Sequence, residues 1–124
     1  MPNEKLEAAI GKILRANADL DKKEPLLVLT DKDMGGLGFV FFKKALELGA
    51  AASVCDIQPL GSDGEEPPAH VISSFKKAKV IVLLTSKSLA GTTALSDAAA
   101  AGAKVIDLAG ITGEKIIEIG DSIG

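Results

Sequence analysis

Residues 79–102 read KVIVLLTSKSLAGTTALSDAAAAG, and this stretch decides the fold. Val80 to Leu84 form an unbroken apolar run. A continuous run, unlike an alternating one, is what a strand covered on both faces requires. Six hydroxyls, Lys87 and Gly91 lie between this run and Asp97. An alanine-rich helix follows to Ala101, with Thr92 or Thr93 as N-cap, Asp97 early in the helix and Gly102 behind its last turn. Strand, polar loop, helix is one unit of an alternating α/β chain.

The same unit recurs on both sides. Leu6, Ile10, Ile13, Leu14 and Asn17 mark a first helix over residues 3–18, with Asn3 as N-cap. Residues 26–30 (LLVLT) read as a buried strand, and the glycine-punctuated DKDMGGLG leads into a second helix. Leu37, Val40, Phe41, Ala45 and Leu48 form that helix's apolar stripe; Lys43, Lys44 and Glu47 face water, and Gly49 ends it. Residues 52–57 form a second strand, and the acidic, proline-bearing QPLGSDGEEPP (58–68) is a long loop. Pro67 or Pro68 opens a third helix striped by Val71, Ile72, Phe75 and Ala78. The third strand covers 79–85, a fourth covers 104–109, and a last helix covers 112–119. This order predicts a single α/β domain over residues 1–124. Its parallel sheet of about four strands, order 2-1-3-4, carries helices on both faces in a three-layer, Rossmann-like or flavodoxin-like arrangement.

Composition narrows the function. The chain has 124 residues, with four Phe and neither Trp nor Tyr, so it lacks the stacking platforms of single-strand nucleic-acid binders. Its 14 basic and 17 acidic side chains are interspersed and give a net charge of −3, a poor match for a phosphate backbone. Neither a membrane span nor an apolar leader is visible, so a cytoplasmic location is the expectation. Cys55, the only cysteine, lies in an apolar run and reads as a buried, inert thiol.

A doubly wound sheet binds ligands beyond the carboxyl ends of its strands, where strand order reverses. The loops that meet there are residues 30–38 and 85–93. Gly35-Gly36-Leu37-Gly38 is not the spacing of a dinucleotide loop, and Asp31 and Asp33 would repel a phosphate. No P-loop occurs, and Thr85 and Ser86 stand where a phosphoacceptor receiver needs aspartate. The one histidine, His70, lies near the start of the third helix and reads as a solvent-exposed or helix-end residue, and Ser86-Lys87-Ser88 lacks the spacing of a serine–lysine pair. No catalytic residue and no metal site is therefore expected. Asp31, Asp33, Thr85, Ser86, Lys87, Ser88, Gly91, Thr92 and Thr93 are the candidate ligand-binding residues. The amides of Gly91 to Ala94, opening a helix, would suit a small carboxylate or phosphate.

FFKKALELGA, EEPPAHVISSFKKAKVIVLLTSKSL and AAAAGAKVIDLAGIT together resemble the N-terminal domain of the thermophilic leucyl metallo-aminopeptidase (aminopeptidase T) family and its archaeal relatives. The resemblance runs from Leu26 to Glu118. Its most specific elements are Glu66-Pro67-Pro68, Thr85 to Leu89, and Gly102 through Gly110-Ile111-Thr112. It implies a longer two-domain enzyme whose paired divalent metals are held by Glu, His and Asp of a C-terminal peptidase domain. This chain would then be a non-catalytic domain with no cofactor of its own, structural or substrate-positioning, and able to form a dimer. The family's Ser-Leu-Ser-His-Thr-x-Ala-Arg segment falls on Ser88 to Leu95, with Gly91 and Leu95 in place of its His and Arg. Roles of those two side chains do not carry over. A homodimer is the remaining expectation, with the end of the sheet or the last helix (Ile116, Ile117, Ile119, then Ile123) as its surface.

Overall fold

The computed structural model describes residues 4–18, 23–34 and 36–123. The elements run α1 (Glu4–Asn17), β1 (Pro25–Asp31), α2 (Leu37–Glu47), β2 (Ala51–Ile57), α3 (Ala69–Lys77), β3 (Val80–Leu84), α4 (Thr93–Ala100), β4 (Lys104–Asp107) and α5 (Gly113–Ile123). A single 3-10 turn, Lys32–Met34, follows β1. The four strands are all parallel, in the order β2-β1-β3-β4. This is the doubly wound arrangement expected from the alternation.

Side-chain alternation along the strands splits the core into two layers. Leu26, Val28, Val80, Val82, Leu84 and Ile106 pack beneath α1, α2 and α5. On the opposite face Leu27, Leu29, Ile81 and Leu83 pack beneath α3 and α4. Every residue of β3 is buried, which is why its sequence is apolar without interruption. Two glycines set helix distances. A Cβ on Gly38 would come within 2.4 Å of the Thr30 side chain, so only glycine lets the first turn of α2 lie against β1. A Cβ on Gly120 would come within 2.5 Å of Ala9 Cβ, which draws α5 onto α1.

Several boundaries differ from expectation. Pro67 and Pro68 do not open α3 from inside; Pro68 is its N-cap, and the helix begins at Ala69. β4 stops at Asp107 because its carboxylate accepts from the Ala109 amide at 3.1 Å and turns the chain. α5 runs on to Ile123, capped at its start by Thr112, whose hydroxyl accepts from Lys115 N at 3.2 Å. Lys44 does not face water freely. Its side chain is 22% exposed, lies against Gly11 of α1 and pairs with Glu47 at 3.5 Å. Cys55 is half-buried rather than buried; burial first, then the neighbouring Asp56 carboxylate, push its thiol above the ordinary range. The expected N-cap Asn3 and the glycine Gly35 lie outside the described residues. Among the described residues no helix is long and apolar enough to cross a membrane.

Candidate functional site

The switch point lies between the carboxyl ends of β1 and β3, and the two expected loops meet there. Asp31 is the last residue of β1 and only 2% exposed. Its Oδ2 accepts from both Ser86 N (2.8 Å) and Ser86 Oγ (2.9 Å), and its Oδ1 accepts from Asp33 N (3.1 Å). One buried carboxylate therefore ties the first loop to the third, with three donors satisfying its charge. Asp31 acts here as a clasp, while Asp33 is exposed and enters this knot through its main-chain amide.

The rest of the 85–93 loop is fastened in the same way. Thr85 is fully buried; its hydroxyl donates to Lys87 O at 2.7 Å, and its carbonyl accepts from Gly110 N at 2.8 Å. Ser88 N donates to Asp63 Oδ1 at 2.8 Å, and Ser88 O accepts from Gly64 N at 2.8 Å. The Ser88 hydroxyl accepts from Ala90 N at 3.0 Å. Thr92 is the N-cap of α4: its hydroxyl donates to Leu89 O (2.8 Å) and accepts from Leu95 N (3.2 Å). Gly91 holds φ at +85°, the turn that precedes this cap.

The amides expected to cradle an anion are also engaged. Glu66 reaches across from the 58–68 loop, its Oε2 accepting from Thr93 N at 2.6 Å and its Oε1 from Ala94 N at 3.1 Å. A carboxylate does sit at the α4 N-terminus, as the exposed donors and helix dipole favour, and it belongs to this chain. Sequence reasoning placed Asp63 and Glu66 in a long acidic loop and missed both roles. The available signal was an acidic loop entering the same end of the sheet as a helix start. Of the nine candidate residues, Asp31, Asp33, Thr85, Ser86, Ser88, Thr92 and Thr93 join this network through side chains or amides. Lys87 contributes its carbonyl and leaves its side chain in solvent.

One polar group stands apart. Thr30 Oγ1 is buried with no hydrogen-bond partner among the described residues, pressed beneath Gly38. Among the described residues no three His, Cys, Asp or Glu side chains gather so as to hold a metal ion. His70 is exposed at the start of α3, where its carbonyl accepts from Ser74 Oγ at 3.0 Å.

No protein-family model matches the chain, and no curated protein matches it either. Among solved structures it is similar to the 2,5-dihydroxypyridine dioxygenase of Pseudomonas putida KT2440, with a TM-score of 0.70 at 10% identity. The superposition covers 88% of this chain and 35% of that one, so this chain spans about a third of that structure's length. At this identity the likeness shows the fold alone. The shared fold is the α/β sheet described above.

Proposed function

We propose that this chain is a non-catalytic α/β domain that works within a larger enzyme, as a structural or substrate-positioning element, and does no chemistry alone. The observation that carries this reading is the switch-point crevice, whose carboxylates and hydroxyls are spent on one another and on loop amides. A nucleophile needs a base at hydrogen-bond distance and a position open to substrate. Ser86 instead donates to a carboxylate that is already accepting twice more, and Thr85 is fully buried. The fold also occurs as about a third of a longer enzyme, the dioxygenase, which supports a part played inside a larger protein. The resemblance to the aminopeptidase T family gives the more specific form of the proposal, with peptidase metals in a C-terminal partner domain. The purified chain should then leave a leucyl chromogenic substrate unhydrolysed when divalent metal is added. Turnover that survives repurification would end this reading.

A second reading is a site for a small carboxylate or phosphate at the α4 N-terminus. It is favoured by the Glu66 carboxylate, which shows that the amides of Thr93 and Ala94 take an anion in this geometry. Glu66 is exposed, so such a ligand would compete with it directly.

A further inference from the structure

β2 is an edge strand. All seven of its residues pair in unbroken parallel register with β1, from Ala51 beside Pro25 to Ile57 beside Asp31. No described residue pairs with its other side. Proteins that keep such an edge single blunt it with proline, lysine, a bulge or a covering segment. AASVCDI has neither proline nor lysine, and its register with β1 leaves no residue unpaired. The opposite edge is built differently: β4 has four residues and carries Lys104 at one end and Asp107 at the other, both exposed.

The helix beside the open edge is apolar on its outer flank. α2 lies over β1 and β2 and buries Gly38, Phe41 and Ala45 against them. Successive helical residues advance by about 100°. Leu37 and Lys44 therefore share the flank turned to α1, where Lys44 meets Gly11. Phe42, Leu46 and Phe39 fall on the other flank, above the open side of β2. Phe39 is 44% exposed and Leu46 48%, two of the three large apolar side chains most exposed among the described residues. Polar main chain and apolar side chains thus form one continuous strip.

We propose that this strip is an isologous interface that docks a second copy of this chain. The two β2 strands pair antiparallel about a two-fold axis at Val54, and the two α2 flanks close over the join. The result is a continuous eight-stranded sheet. Its self-complementarity argues for a second copy as the occupant. Centring on Val54 overlaps all seven residues and sets Ser53 opposite Cys55 and Ala52 opposite Asp56. Asp56, the strand's one charge, then lies roughly 13 Å along the strand from its equivalent, about four residue rises, which is beyond the screening length of ~8–10 Å. Like charges are kept apart, and every outer main-chain group gains a partner. Closed two-fold pairing also ends the assembly, whereas pairing β2 to β4 would propagate. The inference is independent of the enzyme reading above, since an inactive domain and an active one would dimerise alike.

Sedimentation velocity on the full chain across the micromolar range tests it. The expected result is a reversible species of twice the 12.7 kDa chain mass. Leu46→Glu should weaken association roughly tenfold or more with an unchanged far-UV spectrum, because one turn of exposed helix surface is all that changes. Ser53→Cys should form a covalent dimer under mild oxidation, and the Ser53→Cys/Cys55→Ser double variant should not. A strictly monomeric chain would overturn the proposal. So would a dimer indifferent to Leu46→Glu, a Ser53→Cys variant that fails to cross-link, or a mass that keeps rising with concentration.

Discussion

At the carboxyl end of the sheet, the polar groups of several loops find their partners inside the molecule. Along β2, a row of main-chain donors and acceptors finds none among the described residues. In sequence the loops carry the hydroxyls, glycines and aspartates expected of a site, whereas residues 52–57 read only as a second strand. Their structures reverse that order: Asp31, Asp63 and Glu66 close the crevice on itself, while the plain AASVCDI strand and its helix remain open for contact. Richness in polar side chains measures how much a loop must satisfy as much as what it can bind.

The comparison can be broken most forcefully at Asp31. Asp31→Ala strips partners from Ser86 N, Ser86 Oγ and Asp33 N at once, and should cost about 3 kcal/mol in chemical unfolding. A loss under about 1 kcal/mol would mean that water replaces the clasp readily and that the crevice is looser than its distances imply. Next comes Gly38→Ala, whose methyl must displace the Thr30 side chain; overpacking of this kind costs about 2 kcal/mol. Glu66→Gln keeps the shape and removes the charge facing the α4 N-terminus. It should cost about 0.5–1 kcal/mol and leave the fold intact.

The smallest effects belong to the edge. Thr30→Val, buried under that edge's helix, should be neutral or slightly stabilising, since the hydroxyl it removes has no partner to lose. Cys55 has its thiol pushed up by burial and by Asp56, so folding favours its neutral form. The sign follows: that contribution is present below the unfolded thiol's titration range and fades as pH rises through the folded one. Alkylation of the folded chain should therefore need a higher pH than a free thiol does. Rates that match an unfolded control would contradict the burial.

The sheet and its order were legible because each strand is a short apolar run set between turn residues and amphipathic helices. Val80 to Leu84 is the plainest case, buried throughout. The crevice was legible in place and not in chemistry. Asp31 and Ser86 are 55 residues apart, and Glu66 reaches amides 27 and 28 residues on. No local pattern encodes such pairings. The apolar excess was also misplaced. The isoleucines of the last helix were expected as a dimer surface, and α5 buries Ile116 completely, with Ile117 and Ile119 packed against the core, since Gly120 brings α5 close to α1. Only Ile123 stays exposed there; the larger excess sits on α2, where Phe39 and Leu46 were spaced outside the expected stripe. A helix between two neighbours has two flanks, and sequence alone does not say which one is left uncovered.

The central claim is that the crevice is closed by its own residues and awaits no ligand. It is tested most directly by following backbone amide resonances of the full chain while inorganic phosphate, then acetate, is added to millimolar excess. The account predicts that Thr93, Ala94 and Ser86 hold their positions, because Glu66 and Asp31 already occupy those donors. Saturable shifts at Thr93 and Ala94 in the unmodified chain would contradict it and turn the site into an anion receptor.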